Sequence, residues 1–266
     1  TLGVATSTYY HGARKPPRDI ADEQLTEQIK RVFYEHKRRY GYRRVYQVLH
    51  DNGHACSPNK VRRLMKENGL RALYHRSFVP RTSDGKASKP SPNLLLDLDS
   101  PITPDQVWVG DITYIPGESR WYYMALVMDL YSRRIVGVAV ADHMRSELVE
   151  EAMREALESR CPSEGLIFHS DRGSQYGSKA FRQLLEDHQI KQSMSRKADP
   201  YDNAFMESAI GTFKNELVVD GKFANWEDAK LVSMDYCYGY YNTIRMHSSL
   251  GNMSPSAYEK IALTKQ

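Results

Sequence analysis

The segment Tyr201-Asp-Asn-Ala-Phe-Met-Glu-Ser-Ala-Ile-Gly-Thr-Phe-Lys-Asn215 places an Asp-Asn pair ahead of good helix formers. That pattern predicts a helix over about 203–219, capped by Asp202 or Asn203. Glu207 then falls in the first turn and Lys214 seven residues later. Seven steps of ~100° return nearly to one face, so the two side chains align about 10 Å apart along the axis. This is too far for a salt bridge. It suits a surface on which one group holds a metal and the other a phosphate. A solvated amphipathic helix explains either residue alone, so the upstream chain has to decide between the two.

Upstream, the composition divides the chain. The net charge of 266 residues is only +4, yet residues 1–100 hold 19 Lys/Arg against 10 Asp/Glu and residues 101–266 hold 18 against 23. A basic arm on a mildly acidic body suggests a polyanion binder joined to a metal-using domain. Cys56, Cys161 and Cys237 are far apart, with no Cys-x-x-Cys pair, which argues against a disulfide framework or cysteine zinc site and fits a reducing cytoplasm. No apolar run approaches the ~18 residues of a membrane span. The chain starts at Thr1, which reads as a trimmed terminus or a fused reading frame.

Residues 1–19 read as an N-terminal arm, with 1–12 resembling the end of an upstream helix-turn-helix and Arg14–Arg18 an extended basic connector. Over 20–75 three helices are predicted. Leu25, Ile29, Val32 and Phe33 give the first an apolar stripe, and Val45, Val48 and Leu49 mark the second, closed by Asn52-Gly53. Ser57-Pro58 opens the third, on which Val61, Leu64 and Met65 face inward and Lys60, Arg62, Arg63 and Lys66 outward. Three short helices with a basic last one suit a helix-turn-helix-like DNA-binding domain whose last helix enters a groove. A plain helical bundle with solubilising lysines is the blander alternative. Residues 76–104 lose periodicity and read as a linker.

From 107 onward the residues turn to strand formers. Val107–Ile115, Trp121–Leu130 and Arg134–Ala141 are predicted strands, followed by a helix over 146–159, a strand at Leu166–His169, a helix over 178–187 and a strand over 190–195. Ending in the opening helix, this βββαβαβα order gives an α/β fold: a ribonuclease H-like domain (105–225) with a mixed five-stranded sheet, preceded by a small all-α domain and followed by a helical extension (226–266). Asp111 sits mid-strand in an apolar run, where a bare carboxylate is costly unless paired or metal-bound. Asp171 follows the fourth strand, and Glu207 lies one turn into a helix. Three carboxylates from separate elements make the oxygen-rich site that two Mg²⁺ ions require.

Four motifs in order, Asp111-Ile-Thr-Tyr, His169-Ser-Asp-Arg-Gly-Ser-Gln-Tyr, Tyr201-Asp-Asn-Ala-x-x-Glu and Tyr241-Asn-x-x-Arg-x-His-x-x-Leu-Gly-x-x-Ser-Pro, resemble the DDE transposases of bacterial insertion sequences, in the group whose second reading frame is similar to retroviral integrase. The resemblance covers nearly the whole chain. It implies that Asp111, Asp171 and Glu207 are catalytic and bind two Mg²⁺ ions, for which Mn²⁺ substitutes, and that Lys214 contacts the transposon end. It further implies double-stranded DNA as partner at transposon ends and target, a homodimer or higher oligomer on DNA, and a cytoplasmic, nucleoid-associated protein with no membrane contact. Cleavage at inverted-repeat ends and strand transfer through a circular intermediate are the implied activity. A structure-specific nuclease of the same fold and a non-catalytic DNA-binding regulator are the alternatives. The chain departs from the family pattern at Gly110, where Thr is common, and at Ala198, where Gly is common.

Several further residues admit two readings. Asp129 suits a structural pairing with Arg133 or Arg134 better than a ligand role. His169 either supports the site or packs at a strand end, and Asn203 either faces the site or caps the helix. Tyr236, Tyr238, Tyr240 and Tyr241 have largely core spacing, whereas Arg245 and His247 are candidate DNA contacts.

Overall fold

A computed structural model describes residues 17–73, 90–96, 98–196, 204–217 and 223–264. The chain divides into two compact units, one ending at Leu73 and one beginning at Tyr74. In the first, α1 (Pro17–Glu35), α2 (Tyr42–Asp51) and α3 (Pro58–Glu67) pack together. Their apolar stripes form its core: Ile29, Val32 and Phe33 from α1, Val45 and Leu49 from α2, and Val61, Leu64 and Met65 from α3 are all buried. The Ser57 hydroxyl caps α3 by accepting from the Lys60 amide, with Pro58 in the first turn where no amide is needed. Past the ends of α2 and α3, Gly53 (φ +79°) and Gly69 (φ +66°) take the left-handed conformation that lets the chain turn away.

The second unit is built on a five-stranded sheet in the order β3-β2-β1-β4-β5. β1 (Val107–Pro116), β2 (Trp121–Asp129) and β3 (Ile135–Ala141) form an antiparallel meander, while β4 (Ile167–Ser170) and β5 (Lys191–Met194) run parallel to β1. These short strands need the crossovers supplied by α4 (Ser146–Arg160) and α5 (Lys179–Asp187). α4 and α5 cover one face through Leu148, Ala152, Met153, Phe181 and Leu185. The other face is covered by α6 (Ala204–Leu217), α7 (Trp226–Met234) and the turn of π-helix Asp235–Tyr241. On α6, Met206, Ala209, Ile210 and Phe213 recur at the helical spacing that faces the sheet. After a short 3₁₀ turn at Ser248–Leu250 the described chain ends in α7's successor, α8 (Pro255–Leu263).

β3 is an outer strand, yet its free edge is occupied by side chains. The Val138 amide donates to Glu155 Oε2 (2.8 Å), and Ser159 Oγ and Trp226 Nε1 donate to the carbonyls of Val136 (3.1 Å) and Val140 (2.9 Å). Asn242 completes the edge, its Oδ1 accepting from the Ile135 amide and its Nδ2 donating to the Ile135 carbonyl. On the opposite edge the Met194 amide donates to the Pro92 carbonyl and the Leu94 amide to Ser193 Oγ.

The departure at Gly110 has a packing cause. A Cβ there would lie 2.4 Å from Phe168 Cζ and 2.8 Å from its Cε2, so the Phe168 ring fills the space a side chain would take. That ring is itself packed against Tyr176 and Phe181. Gly110→Thr should therefore cost about 1–3 kcal/mol by overpacking. The urea midpoint checks it, and adding Phe168→Leu should restore part of the loss.

Candidate active site

The unequal lengths of β1 and β4 create the site. Their parallel register runs from Val107 opposite Ile167 to Val109 opposite His169. β1 continues past the end of β4, pairing on its other side only, with Asp111 opposite Leu126 of β2. Asp111 thus emerges beside the residue that follows β4, which is Asp171. The Asp111 Oδ1 accepts from the Ile112 amide (2.8 Å), and the Asp171 Oδ1 accepts from the Gly173 amide (2.9 Å). A Cβ at Gly173 would come within 3.0 Å of that Asp171 oxygen, so glycine lets the loop fold over its own carboxylate. Glu207, in the first turn of α6, is exposed.

Charged groups from other elements bear on Asp111. The Asp111 carboxyl is pushed up to about 7, first by burial and next by the negative charge of Asp171. The Ile112 amide opposes this, Glu207 raises it further and Lys214 lowers it. Groups from mid-β1, the end of β4 and α6 therefore act on one carboxyl. Lys214 turns inward, its Nζ 4.0 Å from the centre of the Tyr114 ring. Burial lowers its basicity, and the Asp111 charge partly restores it. Among the described residues no three His, Cys, Asp or Glu side chains close to metal-ligand spacing. Like charges drawn that close without a cation repel strongly in a part-buried site.

The donor set fits a divalent cation. It consists of carboxylates alone, and the most buried of them is raised first by burial and next by the negative charge of Asp171, a charge that a bound cation would offset. A hard cation with oxygen ligands supplies what that cluster lacks.

Other residues singled out from the sequence fall in different places. Arg245 is not a surface cation but is buried, correcting its expected place among the DNA contacts. Its Nε and Nη2 donate to the Glu216 carboxylate at 2.9–3.0 Å, and Tyr236 Oη donates to the same group (2.8 Å). His247 is half-buried, its Nε2 3.1 Å from Arg245 Nη1 and its ring edge-on to Tyr241. Both are therefore engaged within the fold. On α3, Lys60 and Arg63 pair with Asp22 of α1 (2.7 and 2.5 Å), which leaves Arg62 and Lys66 as the cations of that helix pointing outward without such a pairing to Asp22. Arg62 lies over the Tyr42 ring at 5.7 Å.

His169 is fully buried between Ser193 Oγ (2.8 Å) and Ser195 Oγ (3.1 Å) of the neighbouring strand region, so it packs at the strand end. Asp129 is structural as expected, but its partners are not arginines. Its carboxylate accepts from the amide and hydroxyl of Ser132 and from the Asp105 amide, capping the β2–β3 turn. Arg134 pairs instead with Glu259, and Arg133 lies 3.9 Å from the Phe205 ring centre. Asp202, Asn203, Ala198 and the first twelve residues lie outside the described residues. Charge reading missed Glu216 and Asn242, whose signal was position: Asn242 stands inside the last motif, and Glu216 continues the buried stripe of α6.

Comparison with known proteins matches both regions of the chain. Models described as integrase core domain match residues 102–200 and 188–255, and an HTH-like domain matches residues 20–78. The chain is 40% identical over 261 residues, covering 97% of this chain and 96% of its relative, to a protein called insertion element IS600 uncharacterized 31 kDa protein from Shigella sonnei. It is 40% identical over 93% of its length to the transposase for insertion sequence element IS904 from Lactococcus lactis, covering 98% of that protein. With transposase InsF for insertion sequence IS3A from Escherichia coli it shares 32% identity over 97% of this chain and 91% of the other. A chain in the cryo-EM structure of the simian T-cell lymphotropic virus intasome with PP2A regulatory subunit B56 gamma aligns with TM-score 0.51 at 13% identity, over 87% of this chain and 74% of that one, a likeness of fold. Among the described residues no helix is long and apolar enough to cross a membrane. The chain belongs to the family of insertion-sequence transposases, with an integrase core and an HTH-like N-terminal region.

Proposed function

We propose that this chain cleaves the 3′ ends of its transposon and joins the freed 3′-hydroxyl to another DNA strand, using Asp111, Asp171 and Glu207 to hold two Mg²⁺ ions, with Mn²⁺ as a substitute. The observation that supports this most is the shared electrostatic environment of Asp111, in which Asp171, Glu207 and Lys214 all act on one buried carboxyl. The chemistry a pair of Mg²⁺ ions supplies in such a place is activation of a water or 3′-hydroxyl and stabilisation of the leaving oxygen in an in-line displacement at phosphorus.

The chain's own residues divide the remaining work. Asp111 and Asp171 are anchored by backbone amides, which fixes one oxygen of each and leaves the other to bind. Lys214, half-buried against Tyr114, presents its ammonium to a transposon-end phosphate near the acids. Arg62 and Lys66 on α3 meet double-stranded DNA, joined by Lys60 and Arg63 when phosphate displaces Asp22 from their surface ion pairs. Acting at two ends calls for two or more copies on the DNA.

A labelled inverted-repeat oligonucleotide incubated with the full chain and Mg²⁺ tests the reading. Joined products longer than the substrate are expected. Cleavage without joining would assign a nuclease instead, and end binding with no Mg²⁺-dependent product a regulator.

A further inference from the structure

Tyr176 closes the segment that carries Asp171, and the site described so far gives it no role. Its ring is 2% exposed and packs against Phe168 (5.8 Å between centres) and, edge-on, Phe181 (5.5 Å). Its hydroxyl is buried and meets no hydrogen-bond partner among the described residues. A phenylalanine would fill the same space without that penalty, so an orphaned hydroxyl at this depth calls for a partner.

The loop after β4 shows which groups are near. From the same point on Gly173, where a Cβ would stand, Asp171 Oδ1 is 3.0 Å away and Tyr176 Cδ2 3.7 Å, so carboxylate and ring border the same turn of the loop. Phe168, which touches the Tyr176 ring, also fills the space beneath Gly110, the neighbour of Asp111. A phenol hydroxyl is a hydrogen-bond donor at neutral pH.

We propose that Tyr176 is a positioning residue, whose hydroxyl is the donor reserved for the Asp111 and Asp171 carboxylates when a divalent cation draws them together. The inference rests on the metal-binding reading above. Drawing the carboxylates in gives the hydroxyl an acceptor, and the hydrogen bond then fixes the orientation of the liganding oxygens. Groups that orient metal ligands in this way commonly contribute 10- to 100-fold to metal affinity.

Tyr176→Phe in the full chain separates this role from packing, because it deletes one oxygen and keeps the ring. Mn²⁺ titrated calorimetrically into wild type, Tyr176→Phe and Asp111→Asn is the measurement, with thermal unfolding of each in metal-free buffer. The expected result is a roughly 10- to 100-fold loss of Mn²⁺ affinity in Tyr176→Phe with a melting temperature unchanged or raised. Mn²⁺ affinity equal to wild type overturns the proposal, and so does a clear drop in metal-free melting temperature, which would assign the hydroxyl to the fold itself. Failure of the underlying reading looks different: wild type and Asp111→Asn would then bind Mn²⁺ alike.

Discussion

Asp111→Asn is expected to reduce Mg²⁺-dependent strand transfer by about a thousandfold or more while transposon-end binding stays within a few-fold of wild type. The substitution is close to isosteric, and its remaining oxygen can still accept from the Ile112 amide. What disappears is the negative charge and the second anionic oxygen at the end of β1. The same change should leave the metal-free fold as stable as wild type or more so, because a neutral amide no longer faces the charges of Asp171 and Glu207 from a buried position. A gel assay for joined product and a thermal melt, run side by side, distinguish lost chemistry from lost structure. An Asn variant that joins DNA at near wild-type rate would remove the basis of the proposed function.

Arg245→Ala is expected to cost about 3–5 kcal/mol of stability, the usual penalty for leaving one half of a buried ion pair behind. Its guanidinium holds both oxygens of Glu216, and both residues are almost wholly buried. Removing it strands the Glu216 carboxylate in the packing between α6 and the C-terminal segment. The double variant Glu216→Leu/Arg245→Met should recover most of that loss, since a well-packed apolar pair often matches a buried salt bridge. Denaturant midpoints of the two single variants and the double variant measure the coupling. A loss of under 1 kcal/mol in Arg245→Ala would show that the pair is not what fastens this end of α6. DNA binding of the double variant should be near wild type, because Arg245 faces Glu216 rather than solvent.

The elements most legible in the sequence were those with a repeating apolar stripe. Ile29, Val32 and Phe33, or Ala152, Met153, Ala156 and Leu157, declare both the helix and its buried side, and strand ends were placed within a residue or two. Asp111, Asp171 and Glu207 stood out because each has a distinctive place in its element, and the charges of Asp171 and Glu207 both act on the Asp111 carboxyl. Arg245 was not, since its partner is 29 positions earlier and an arginine beside a histidine reads as a surface cation. Asp129 shows a related limit: charge matching points to the adjacent arginines, whereas the strongest partners of a buried carboxylate at a turn are backbone and hydroxyl donors. The π-helical turn after α7, which lets Tyr236, Cys237 and Tyr241 all face inward and delivers Asn242 to β3, has no periodic signature of its own.

The capped edge of β3 also bears on how copies of this chain can meet. An open outer strand is a template on which another chain adds by backbone pairing. Here Glu155, Ser159, Trp226 and Asn242 already hold the amides and carbonyls that such an addition would use. A newcomer strand would have to evict these side chains to pair along the edge. A second copy of this chain that reached this side of the sheet would therefore meet side chains rather than open backbone.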